Sequence, residues 1–166
     1  MRESIRDWIQ TLPLPEPVLV VLLAMLPIIE LRGAIPVGQG IFDMSPVTAY
    51  MWSVLGNMIP VPFILWLFPG FVEWAEDHWA WLHRIMVRLQ DRTAHKHSRR
   101  FEALRDFALI TFVAIPLPIT GAWSGSLAAV VFGVPKKIAL VLIFVGVLIA
   151  GLVVSLFLEG LGLAVG

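Results

Sequence analysis

The sequence predicts an all-α integral membrane protein: an inverted repeat of two re-entrant helical hairpins, each followed by a transmembrane helix, with amphipathic helices lying at the interface. Three observations carry this expectation. Hydrophobic residues make up 58% of the 166 residues and charged residues 14%, with a mean hydropathy of +0.86, against roughly 45–50% apolar and about 25% charged in an ordinary soluble domain. Two apolar runs too short to cross a bilayer end in clusters of Pro, Gly and polar residues. The same order of elements then recurs at an offset of roughly 88–90 residues. The length allows one membrane domain, 1–166, with little room for a separate soluble module.

Residues 1–12 place Ile5, Trp8, Ile9 and Leu12 at helical spacing among charges, the pattern of an interfacial helix that Pro13, Pro15 and Pro17 end. Arg2 and Arg6 precede the next apolar run, but no small-residue cleavage pattern follows it, so the segment is expected to be retained. Pro17 to Ile29 reaches about 20 Å as a helix, short of a hydrocarbon core of about 30 Å. It meets Glu30-Leu31-Arg32-Gly33-Ala34-Ile35-Pro36, where charge, Gly and Pro predict a break at membrane depth, and returns through Val37 to Met44. The expected spanning helix runs from Pro46 to Phe68, kinked near Gly56, Asn57, Pro60 and Pro62, and completes a first repeat over 17–68. Residues 70–106 read as an amphipathic basic connector, with an apolar face over 70–92 and then a basic loop.

The second repeat, 107–160, begins with the short run Phe107 to Ile115 and the break Pro116-Leu117-Pro118-Ile119-Thr120-Gly121-Ala122-Trp123-Ser124-Gly125. Ser126 to Val134 returns, and Ile138 to Leu158 is long enough to span. Between the halves Pro27 aligns with Pro116, Gly33-Ala34 with Gly121-Ala122, Phe42 with Phe132, Pro46 with Pro135 and Gly56 with Gly146. One crossing separates the halves, so the second is expected upside down, the plan of many secondary transporters. This topology puts Arg84, Arg88, Arg92, Lys96, Arg99, Arg100 and Arg105 on the same face as Lys136-Lys137. The positive-inside rule makes that face cytoplasmic and both termini external.

Glu30 and Arg32 are the sharpest chemical signal, because an ionisable group at bilayer depth costs at least about 2.5–3.5 kcal/mol and faces a cavity or a partner. A half-helix starting near Gly33 and ending its strain at Pro36 turns its positive end toward an anion beside Arg32. Glu30, sharing that site, has a charge that depends on what Arg32 holds, a route to proton coupling. The opposing tip supplies Pro116 and Pro118 as breaks, Thr120 as a cap, Gly121 and Gly125 for close helix approach, and Trp123 and Ser124 as substrate contacts. Asn57 is a supporting residue, placed to hydrogen-bond a tip or the backbone opened at Pro60 and Pro62, with packing as its favoured role.

The composition argues against other chemistries. With no cysteine, disulfides, thiol nucleophiles and Cys-ligated zinc are excluded. His95-Lys96-His97, amid cations and without a carboxylate or thiol nearby, reads as a solvated charge run, and neither a metal nor another cofactor is expected. No Ser/His/Asp set is visible, so the chain is not expected to be an enzyme. The basic cluster beside membrane segments engages anionic lipid headgroups, not nucleic acid.

Glu30-Leu31-Arg32-Gly33-Ala34-Ile35-Pro36, with the tip from Pro116 to Gly125, resembles the small multidrug export protein family of prokaryotes over nearly the whole chain. That resemblance implies the prokaryotic inner membrane and export of drugs. More distantly, the two-hairpin plan and the acidic/Arg tip look like the DedA and VTT-domain membrane proteins, which implies movement of lipids or lipid-linked phosphates. The present chain is shorter and lacks their fuller charged motifs. The expected function is a transporter or flippase, coupled to protons through Glu30, for an amphipathic anion such as a lipid-linked phosphate held between the two tips. Export of lipophilic cations and a non-transporting scaffold are the alternatives. Two spans enclose little by themselves, so a homodimer is expected.

Overall fold

The computed structural model describes residues 14–79, 99–117 and 120–162, the side chains of 76, 77 and 99–101 excepted. The expected interfacial helix at 1–12 and most of the basic connector lie outside the described residues. The described chain is helical and carries no strand. The helices are α1 (Glu16–Met25), α2 (Glu30–Gly40), α3 (Pro46–Met58), α4 (Pro60–His78), α5 (Arg99–Ala114), α6 (Ala122–Val131) and α7 (Lys136–Gly160).

The first break falls earlier than expected. Leu26 precedes Pro27, whose ring disfavours the helical conformation in the residue before it, and Leu26 is extended at φ −74°, ψ 133°. The chain turns over 27–29, and α2 starts at Glu30. The stretch Glu30 to Pro36 is therefore the opening of the returning helix, not a broken tip. Pro36 is carried inside α2 because the donor it lacks would have served only the Arg32 carbonyl, close to the helix start. Ser45 caps α3 by accepting from the Thr48 amide at 3.2 Å, and Pro46 occupies its first turn.

The first span also differs. α3 bends at Ile59, where Pro60 and Pro62 withhold two amide donors, and α4 continues through Pro69 and Gly70 to His78 instead of stopping at Phe68. An apolar surrounding gives a freed backbone group no water to turn to, which favours continuing the helix. Pro46–Ala75 and Lys136–Gly160 are both long and apolar enough to cross a membrane. In the second repeat α5 begins at Arg99, ahead of the expected Phe107, and α6 begins at Ala122, ahead of Ser126. The final span matches its expected range to within two residues at each end.

The described chain divides into two compact units. One holds the residues up to Ile59 together with those from Leu148; the other is Pro60–Val147, so α7 contributes to both. In the first unit α1, α2 and α3 pack on one another around Leu19, Val20, Ala24, Ala34, Phe42, Met44 and Ala49. Gly56 of α3 lies so close to α1 that a Cβ there would collide with the Val21 carbonyl oxygen. Tyr50 donates to the Leu148 carbonyl at 3.1 Å, tying α3 to the end of α7. In the second unit α4 and α5 pack on α6, and Gly146 of α7 meets α5 just as closely: a Cβ there would stand 2.6 Å from Val113 Cβ and 3.1 Å from the Ile110 carbonyl. Each unit thus brings a spanning-helix glycine against the first helix of its hairpin. Gly56 and Gly146 are the pair aligned in the sequence repeat.

Candidate functional site

The α1–α2 turn builds its site from backbone outward. The Glu30 amide donates to the Leu26 carbonyl at 2.9 Å, and Glu30 itself stands at φ +48°, in the left-handed region. For a residue with a Cβ this conformation costs roughly 1–2 kcal/mol. Its carboxylate is buried, with the residue 4% exposed, and accepts from Arg32 Nη2 at 3.0 Å. Gly33 fits the same turn, since a Cβ there would come within 2.5 Å of Ile29 Cγ2. The pair occupies one of the five N–H donors of a guanidinium, whose fork geometry suits bidentate capture of carboxylate or phosphate.

The second turn, between α5 and α6, has another character. Gly121 precedes α6 at φ 145°, ψ −164°, a backbone conformation open to glycine. Thr120 does not cap the helix as expected. Its Oγ1 donates to the Ile115 carbonyl and accepts from the Leu117 amide at 3.1 Å, closing the loop on itself. Ser124 Oγ stands 3.5 Å from the Gly121 carbonyl, at the outer limit of a hydrogen bond, and Trp123 is half-buried beside it in the first turn of α6. Pro116 lies in the loop, whereas Pro118 lies outside the described residues. Gly125 does serve close approach: a Cβ there would collide with Val113 Cγ2. The predicted site residues therefore form two groups: Glu30, Arg32, Gly33, Pro36 and Asn57 in the first unit, and Pro116, Thr120, Gly121, Trp123 and Ser124 in the second.

Comparison with known families decides membership. A family described as "Putative small multi-drug export protein" matches residues 30–153. The chain belongs to the small multi-drug export protein family. No curated protein and no solved structure matches it, and the likeness to DedA proteins is not among the findings. The family match opens at Glu30 and takes in every predicted site residue. Membership and the two long apolar helices make this a membrane protein.

Within this family member, the first unit holds polar groups that sequence reasoning passed over. Asn57, expected chiefly to pack, is fully buried, and neither its oxygen nor its nitrogen has a hydrogen-bond partner among the described residues. Ser53 and Gln39 are buried and unpartnered in the same way. A polar residue inside an apolar run was the available signal, and Ser53, one helical turn before Asn57, carried it. The second unit holds a cavity of about 520 Å³ between α5 and α6, walled by Leu104, Ala108, Phe112, Ala128 and Phe132. Arg105 stands at its edge, bound to Asp106 at 3.0 Å.

Proposed function

We propose that this membrane protein is a transporter or flippase for an amphipathic anion such as a lipid-linked phosphate, with Arg32 as the recognising cation and Glu30 as its resting counter-ion. The observation that carries the reading is the Glu30–Arg32 pair: a buried carboxylate 3.0 Å from a partly buried guanidinium, set in a turn whose backbone is strained. A pair serving stability alone has cheaper solutions, since replacing a buried ion pair by packed apolar residues is often neutral or stabilising by about 1–4 kcal/mol. An incoming phosphate competes with Glu30 for Arg32 and draws the guanidinium away from the carboxylate. Glu30 then takes a proton or a cation, and substrate movement becomes coupled to that ion. The apolar cavity in the second unit, with Arg105 among its lining residues, suits a hydrocarbon tail attached to an anionic group.

The family description favours a second reading, export of lipophilic cations, in which Glu30 recognises the substrate and Arg32 competes for it. The discriminating experiment is flux into proteoliposomes of a fluorescent lipid-linked phosphate and of a lipophilic cation, with and without a pH gradient. Phosphate flux abolished by both Glu30→Gln and Arg32→Ala supports the anion reading. Cation flux abolished by Glu30→Gln and retained in Arg32→Ala supports the exporter. No flux of either by folded protein removes both and leaves a scaffold. On the anion reading the basic face is cytoplasmic, and the working form is a homodimer.

A further inference from the structure

We infer that the first unit contains a binding site for a monovalent alkali cation, Na⁺, formed by Asn57 Oδ1, Ser53 Oγ and the Glu30 carboxylate at the carbonyl end of α3. Four observations converge. Asn57 and Ser53 are 0% exposed and have no hydrogen-bond partner among the described residues, and a buried polar group is costly to leave with nothing in the space it faces. A serine in an apolar helix ordinarily bonds the carbonyl one turn back. Ser126 does so with Ala122 at 2.6 Å and Thr111 with Phe107 at 2.9 Å, whereas Ser53, like Ser155 of α7, does not.

Both unpartnered residues continue, turn by turn, the α3 face that meets α2 at Ala49. Ala49, Ser53 and Asn57 follow one another at four-residue steps and share a face of α3. Ala49 fixes what that face meets, because a Cβ on Gly38 of α2 would stand 3.0 Å from Ala49 Cβ. The short link from Ile41 to Ser45 makes α2 and α3 antiparallel neighbours. Eight residues back from Gly38 reach Glu30, and eight forward from Ala49 reach Asn57. Each path rises about 12 Å, which sets the carboxylate and the amide at the same level.

The backbone adds acceptors there. Asn57 lies in the last turn of α3, where a helix presents its partial negative charge. Pro60 and Pro62 have no amide hydrogen, so the carbonyls of Gly56 and Met58 lose their ordinary donors one turn on; that of Gly56 receives the Ile59 amide at 3.3 Å. Opened carbonyls at helix ends, joined by neutral side-chain oxygens, coordinate coupling cations in broken-helix transporters. The ligand set selects the ion. Among the described residues no three of His, Cys, Asp or Glu stand together, and one carboxylate already shared with Arg32 suits a single positive charge, not the several carboxylates of calcium sites. A proton on Glu30 would leave Ser53 and Asn57 unsatisfied, whereas an oxygen-ligated cation employs both.

This site deepens the proposed function by naming its coupling ion, and it is testable without any substrate. Equilibrium binding of radioactive sodium to the purified full chain in detergent, and thermal unfolding in sodium, potassium and choline chloride at equal ionic strength, read it directly. Wild type is expected to bind sodium saturably and to unfold at a higher temperature in sodium. Ser53→Ala and Asn57→Leu each weaken binding by about tenfold or more. Ser53→Ala removes a single hydroxyl and preserves the test if Asn57→Leu fails to fold. Wild type indifferent to sodium, or both variants binding as wild type does, overturns the site. Anion flux persisting without sodium binding would overturn the site and leave the transport reading standing; sodium binding without anion flux would do the reverse.

Discussion

Glu30 bears two separate costs, a left-handed backbone and a buried carboxylate, and Arg32 offsets the second. Removing one partner from a fully buried pair costs about 3–5 kcal/mol, and less where, as at Arg32, one side chain keeps some exposure. Arg32→Ala is therefore expected to lower stability by about 1–3 kcal/mol, Glu30→Gln by less, and the double variant by less than the sum. Denaturation of the three proteins in detergent closes this cycle. Gly121→Ala is expected to cost about 1–3 kcal/mol at φ 145°, read by the same assay. The charged pair was legible in the sequence because charge in an apolar run is rare. Ser53 was not, since a serine on a helix is ordinary until its surroundings deny it a partner. Thr120 was misjudged as a cap because its acceptor belongs to Ile115, five residues back, a closure that a capping pattern does not encode.

Elements were legible in order and less so in their limits. The helix–break–helix–span sequence of each half was read from apolar run lengths and Pro/Gly clusters, and α7 was placed closely. The first break moved to Leu26 because Pro27 acts on the residue before it, whereas Gly33 and Pro36 are both accommodated inside α2. At this scale the span glycines make the sharpest prediction. A methyl at Gly56 meets the Val21 backbone and Ala24 Cβ, and one at Gly146 meets chiefly the Val113 side chain. Gly56→Ala should lose more stability than Gly146→Ala, each by about 1–3 kcal/mol. Gly70→Ala, where a Cβ meets nothing within 4 Å, should gain about 0.5–1 kcal/mol. Melting temperatures of the three variants in one detergent rank them.

For the whole molecule, orientation in the membrane is the property most open to direct measurement, because the chain has no cysteine of its own. Single cysteines at Lys137 and at His95 are expected to react with an impermeant maleimide from the cytoplasmic side, and one at Leu161 from the opposite side. Reaction of positions 137 and 161 from the same side would contradict two opposed repeats. Hydropathy made the membrane setting legible, and the topology that charge suggests is what this labelling tests. The division of α7 between two packing units was not, because a continuous apolar helix gives no mark of where its neighbours change.

That division orders events during synthesis. The ribosome completes every residue of the second unit by Val147, while the first unit, begun more than a hundred residues earlier, still lacks everything from Leu148 onward. Tyr50 waits for the Leu148 carbonyl and for Gly151, whose missing side chain admits the tyrosine ring. The unit that holds Glu30, Arg32 and Asn57 is thus the one left incomplete when the chain stops at Val147. A released chain truncated after Val147 should resist proteolysis in the middle and be cleaved near the start.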